Sequence, residues 1–115
     1  MPQIINHGSE TLRINPQTGN IDYSTNGSRS WGIRCNNSTY GKFIDLLSFG
    51  SEVLACTSRG LYASTNAARS FSPRCVNTSS YGDFLNLQAD GNYLLANTTK
   101  GLYYSTNKGA SWVRR

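Results

Sequence analysis

The sequence predicts an all-β chain of three four-stranded antiparallel blades forming part of a β-propeller, and three observations carry that prediction. The triplet Ser-Thr-Asn recurs at 24–26, 64–66 and 105–107, at spacings of 40 and 41 residues, the length of one propeller blade. An aromatic residue (Trp31, Phe71 or Trp112) stands seven positions after each of the three serines. Between these marks lie short runs of β-branched, aromatic and aliphatic residues broken by Gly, Asn, Ser and Asp, and no stretch carries a helical period.

Each unit resolves into four strands. The first unit, 1–35, predicts strands at 3–6, 11–15, 20–24 and 31–35. The second, 36–75, predicts 43–48, 53–57, 60–64 and 71–75; the third, 76–115, predicts 84–89, 93–98, 101–105 and 112–115. The turn between first and second strands is legible because GSETL (8–12) is echoed by GSEVL (50–54) and, more distantly, by GNYLL (91–95). The turn before the third strand reads SRG at 58–60 and TKG at 99–101, both rich in turn formers. Units are joined by NNSTYGKF (36–43) and VNTSSYGDF (76–84). Three repeats of four strands also fit a β-trefoil-like barrel, which stands as the alternative fold.

Composition narrows the class. With 37% hydrophobic and 15% charged residues, the chain of 115 is too aromatic and too weakly charged for disorder, and too poor in helix formers for a bundle. Eleven Lys and Arg against six Asp and Glu give +5, but the cations are scattered singly apart from Arg114–Arg115, which disfavours a nucleic-acid partner. No apolar run approaches the roughly 20 residues that span a bilayer. The first ten residues show no cleavable signal, so a cytoplasmic or virion-associated location is expected over classical secretion. Cys35, Cys56 and Cys75 form no metal spacing or redox pair; three reduced, buried thiols are expected, with no metal and no cofactor.

STNKGASW (105–112) resembles the Asp-box, or BNR, repeat of sialidase-type and related propellers, usually written S-x-D-x-G-x-[ST]-W. Ser105, Asn107, Gly109, Ser111 and Trp112 match it, with Asn in the aspartate place. Ser24, Asn26, Ser30 and Trp31 match in the first unit, where Ser28 replaces the glycine. Ser64, Asn66 and Ser70 match in the second, with Ala68 and Phe71 as departures. The resemblance covers all three units. It implies a hairpin between third and fourth strands, outside the ring and away from the catalytic centre, so that Ser24, Asn26, Trp31, Ser64, Asn66, Phe71, Ser105, Asn107 and Trp112 hold the fold.

Sialidases bind the substrate carboxylate through an arginine triad and use a tyrosine–carboxylate nucleophile plus an acid, drawn from non-equivalent blades. Here the acids are Glu10, Asp22, Asp45, Glu52, Asp83 and Asp90, and none pair by sequence as a glycosidase couple. His7 lies beside a turn without a motif partner and reads as a surface histidine. No catalytic residue is assigned, and the chain is not expected to be an enzyme.

Propellers close with 4–8 blades. Three blades that begin at a first strand and end at a fourth therefore predict a homodimer with a six-bladed ring. The turns at 58–60 and 99–101 and the connections at 36–42 and 76–83 are expected on one face. There Arg59 and Lys100 stand with Tyr40, Tyr81, Asn37 and Asn77. Aromatic rings beside amide and cationic donors suit sugars, so the expected function is a lectin-like, carbohydrate-binding propeller with glycans as partners. The alternative is a structural or assembly protein such as a virion or tail hub. Arg34 and Arg74, repeated beside cysteines, are expected to brace adjacent blades.

Overall fold

The computed structural model describes residues 4–15, 17–36, 40–75 and 81–114. Its strands are β1 (Ile4–His7), β2 (Glu10–Ile14), β3 (Ile21–Ser24) and β4 (Gly32–Cys35) in the first unit. The middle unit contributes β5 (Phe43–Phe49), β6 (Glu52–Thr57), β7 (Gly60–Ser64) and β8 (Ser72–Cys75). The third contributes β9 (Phe84–Asp90), β10 (Tyr93–Thr98), β11 (Gly101–Ser105) and β12 (Val113–Arg114). Each set of four makes its own antiparallel sheet, with neighbours in chain order.

The trefoil alternative does not fit. Its barrel would need strands of different units to pair, whereas here every strand pairs only within its own sheet. Two smaller differences from the sequence reading have a steric origin. The first strands of all three units run one residue further, to His7, Phe49 and Asp90, because a two-residue turn closes each hairpin at His7↔Glu10, Phe49↔Glu52 and Tyr93↔Asp90. The fourth strands begin one residue after the aromatic, whose backbone leaves the turn there while the side chains of Phe71 and Trp112 turn into the core.

Two apolar layers hold the sheets together. In one, Leu12, Ile14, Ile21 and Cys35 of the first sheet meet Phe43, Leu46, Val53, Ala55, Ala68 and Phe71 of the second. In the other, Leu54, Cys56, Leu61, Ala63 and Cys75 of the second sheet meet Phe84, Leu87, Leu94, Ala96, Tyr103 and Trp112 of the third. Thus β6 sends Val53 and Ala55 one way and Leu54 and Cys56 the other. Both of its faces are covered, so Val53–Thr57 is buried throughout and its period of two is hidden in a continuous apolar run. Each fully buried leucine or phenylalanine of these layers contributes about 1.5–3 kcal/mol.

We call the face turned to the preceding unit the leading face and the face turned to the next the trailing face. The large hydrophobics that remain exposed, among the described residues, are Ile4 and Ile33 in the first sheet and Leu85, Tyr93, Leu102 and Val113 in the third. The second sheet exposes none of them. All three cysteines are buried and free. Among the described residues, no helix is long and apolar enough to cross a membrane.

Candidate functional site

Each Ser-Thr-Asn turn is a closed hydrogen-bond knot. In the middle unit the buried Ser64 hydroxyl donates to Asn66 Oδ1 at 2.7 Å and accepts from the Asn66 and Ala68 amides at 3.2 and 2.9 Å. Asn66 Oδ1 also accepts from the Ser70 amide at 3.0 Å, and its Nδ2 donates to Ser70 Oγ at 2.8 Å. The same bonds recur around Ser24 and Asn26 and around Ser105 and Asn107. The residue four after each serine is left-handed, with φ of 73°, 70° and 93° at Ser28, Ala68 and Gly109. Phe71 and Trp112 are buried, and Trp112 Nε1 donates to the Gly109 carbonyl at 3.0 Å. Trp31 is only half-buried and lies under the Arg13 guanidinium, 4.2 Å from its ring centre. A shallow recess beside it is lined by Tyr23, Ser24, Thr25, Ser30, Trp31 and Gly32.

At the same end of the molecule, two arginines tie sheet to sheet. Arg34 grips Glu10 with both terminal nitrogens, at 3.1 and 2.6 Å, and donates to the Ala67 carbonyl of the next unit at 2.7 Å. Arg74 repeats this with Glu52, at 3.4 and 2.6 Å, and with the Lys108 carbonyl at 2.9 Å. The hydrogen-bonded Arg34 holds the Glu10 carboxyl below the ordinary glutamate range. Sequence reasoning placed Glu10 and Glu52 in turns and missed these partners. The available signal was that, in both of the first two units, Glu closes a Gly-Ser-Glu triplet and Arg stands ten residues after the serine of Ser-Thr-Asn.

Two further bonds cross between sheets near the innermost strands. His7 Nδ1 lies 2.7 Å from Ser48 Oγ, so His7 is a half-buried strand residue rather than the surface histidine expected. Its partner lies one repeat away, beyond any local reading. Asp45 Oδ2 accepts from the Leu87 amide at 2.8 Å. Burial pushes the Asp45 carboxyl above the ordinary aspartate range despite the Leu87 and Leu46 amides. Burial likewise raises the Cys35 and Cys56 thiols, with Asp45 adding to the effect at Cys56.

The opposite end carries the loops. Lys42 N donates to Ser58 Oγ and Ser58 N to the Lys42 carbonyl, both at 2.9 Å. Asp83 N and Thr99 Oγ1, and Thr99 N and the Asp83 carbonyl, repeat this at 2.9 and 3.0 Å. Each connection therefore lies against the tight turn of the same sheet. Contact is close enough to require glycine: at Gly41 (φ +89°) a Cβ would stand 2.6 Å from Ser58 Oγ and 3.0 Å from Arg59 Cγ. At Gly82 (φ +81°) it would stand 2.5 Å from Thr99 Oγ1 and 3.0 Å from Lys100 Cγ. The stems of Arg59 and Lys100 thus cross the glycines that follow Tyr40 and Tyr81.

The tyrosines are half-buried in the sheets. Tyr40 packs edge-on to Tyr62 and Phe71, with ring centres 5.5 and 5.4 Å apart, and its hydroxyl accepts from the Phe71 amide at 3.1 Å. Tyr81 meets Tyr103 edge-on at 5.4 Å. Arg59, Lys100, Lys42 and Asp83 are exposed. Asn37 and Asn77 lie outside the described residues. Sequence reasoning did not single out Lys42 or Asp83, which the loop bonds place on this face.

No family model and no curated protein matches the chain. Among solved structures it is similar to YCF48 bound to D1 peptide, at TM-score 0.73 and 16% identity, over 96% of this chain and 38% of that one. It is also similar to an ancestral GH74 enzyme, at TM-score 0.67 and 18% identity, over 94% of this chain and 16% of that one. The sheets are propeller blades. The chain spans well under half the length of either neighbour and forms a partial β-propeller of three blades.

Proposed function

We propose that the chain is a non-enzymatic binding module whose loop face takes a carbohydrate ligand. The observation that carries this reading is the twofold repetition of one loop geometry. Ser58 on Lys42 and Thr99 on Asp83 set Arg59 and Lys100 at equivalent exposed places beside Tyr40 and Tyr81. Two equivalent weak sites, multiplied around a ring, gain strongly through avidity. Tyr40 and Tyr81 fix the loops and border the ligand, while the cationic heads of Arg59 and Lys100 supply donors to sugar hydroxyls or carboxylates.

A binding role is favoured over catalysis by the state of the acids. Of six carboxylates, Glu10 and Glu52 are held by arginines, Asp22 by Arg13 and Asn15, and Asp45 by a backbone amide. We take the three Ser-Thr-Asn knots to be degenerate Asp-boxes, and the ring to be completed to six blades by a second copy.

A glycan array with the 115-residue protein tests the reading. Saturable binding is expected, weakened at least tenfold when Arg59 and Lys100 are both changed to alanine. Silence across a broad array would overturn the carbohydrate reading. The second reading is an assembly hub that binds protein segments, favoured by the structural neighbour YCF48, which is bound to a peptide. A nucleic-acid ligand would instead reveal itself through affinity falling steeply with salt.

A further inference from the structure

The two outer faces of the arc differ from the faces inside it in a patterned way. Ile4, on the leading face of blade 1, occupies the register position of Leu46 and Leu87 in the other blades. Leu102, on the trailing face of blade 3, occupies that of Ile21 and Leu61, counted from the serine of each knot. Ile4 is 58% and Leu102 38% exposed, whereas Leu46, Ile21 and Leu61 are fully buried.

Other positions on the same faces have turned polar. The Arg13–Asp22 pair stands where the leading faces of blades 2 and 3 carry alanine and tyrosine. Asn97, bonded to Asn86 at 2.9 Å, stands where blades 1 and 2 carry Ile14 and Cys56. A capping repeat would be polar throughout its outer face. Mixed faces, apolar at buried positions and polar at a few others, have the makeup of a specific subunit contact.

The polar positions also match across the gap. Inside the arc, His7 on a trailing face bonds Ser48 on the next leading face. The next pair in the same register is Phe49 and Ala89, both apolar. The pair left over is Asp90 on blade 3 and Asn6 on blade 1, an acceptor and a donor. Asn6 Oδ1 accepts from the Thr11 hydroxyl at 3.2 Å, so its amide nitrogen remains a donor for a carboxylate. In the same way Asp45 accepts from the Leu87 amide, and the corresponding pair is the amide of Ile4 and Asn86 Oδ1, which accepts from Asn97 and has a second lone pair for a further donor.

We propose that the leading face of blade 1 docks on the trailing face of blade 3 of a second copy, in the register of the internal blade contacts, with Asp90 accepting from Asn6. The contact is head-to-tail, so two copies that each use both faces close a ring. Its polar pairs discriminate against docking onto the apolar inner faces, where Asp90 would be buried unpaired. This rests on reading the chain as half of a ring, and it names the surface that closes it.

Sedimentation equilibrium and native mass spectrometry of the 115-residue protein test it. Wild type is expected at twice 12.6 kDa. Asn6→Asp sets two carboxylates against each other and raises the dimer dissociation constant at least tenfold; adding Asp90→Asn to the same chain restores it. Leu102→Asp abolishes the dimer while circular dichroism still reports a folded chain, because this side chain is already exposed in one copy. A wild-type monomer would overturn both the docking and the ring, leaving loop-face binding to be judged on the array. A dimer indifferent to Asn6→Asp and Leu102→Asp would overturn this surface alone. Weakening by Asn6→Asp without rescue by Asp90→Asn would overturn the pairing.

Discussion

Replacing Arg34 with alanine should be among the most damaging single changes in the polar part of the fold, and more damaging than the same change at Arg74. The Arg34 side chain is 5% exposed and its partner Glu10 19%. Alanine removes both bonds to Glu10, the bond to the Ala67 carbonyl, and the stacking of the guanidinium over Tyr23 at 4.1 Å. Breaking a buried ion pair from one side costs about 3–5 kcal/mol. Glu10 keeps some water, which brings the ion-pair loss to the low end, and the orphaned carbonyl adds about 1 kcal/mol. A loss of about 3–4 kcal/mol is expected for Arg34→Ala. Arg74 is 21% exposed and one of its bonds to Glu52 is 3.4 Å long. About 1–2 kcal/mol is therefore expected for Arg74→Ala. Urea unfolding at one fixed protein concentration measures both, since any self-association would shift apparent stability. The double change Arg34→Ala with Glu10→Ala should recover part of the loss by removing the stranded carboxylate. Equal losses for Arg34 and Arg74, or under about 1 kcal/mol for Arg34, would refute the view that this arginine clasps two blades in a largely dry setting.

Three further outcomes follow from the same geometry. Ser105→Ala strands the Asn107 and Gly109 amides inside the knot and should cost about 2 kcal/mol by urea unfolding. Gly109→Ala should destabilise as well, because φ is +93° there and the new methyl would stand 2.7 Å from Leu61 Cδ2. Asp45→Asn retains an acceptor for the Leu87 amide and removes a buried charge. Since the folded Asp45 carboxyl titrates above its unfolded value, wild type loses stability as pH rises through that folded value. The asparagine variant should therefore be the more stable at pH 7, with its advantage gone below about pH 4, as measured by thermal melts across that range.

The repeat made the architecture legible because each unit carries its own punctuation. A knot such as Ser64–Asn66–Ser70 is built from residues six apart at most, so its chemistry lies within one glance along the chain. Contacts between blades are spaced by about one repeat and have no such local mark. His7 finds Ser48 41 positions away, and Asp45 reaches Leu87 across 42. The loop face was half legible. The recurrence of Tyr-Gly drew attention to Tyr40 and Tyr81, but not to the reason for the pair. Glycine lets the connection touch the Ser58 or Thr99 turn, and tyrosine pins that connection to the blade.

Departures from the repeat carry a different kind of information from the repeat itself. Position 10 is Glu in blade 1 and its counterpart is Glu in blade 2, each answered by an arginine from the fourth strand of the same blade. In blade 3 the counterpart is Tyr93, 48% exposed and stacked edge-on to Tyr104. The knots, whose bonds are internal to a blade, keep one pattern in all three units. The blade faces, whose bonds depend on what lies opposite, diverge at Arg13, Asp22, Asp90 and Asn97, all on the outer surfaces of the arc. Drift under solvent exposure alone would scatter polar residues without regard to register. In the proposed docking, Asp90 would fall opposite Asn6 and Asn86 opposite the Ile4 amide, each setting an acceptor against a donor. That ordering is what a face with a defined partner requires.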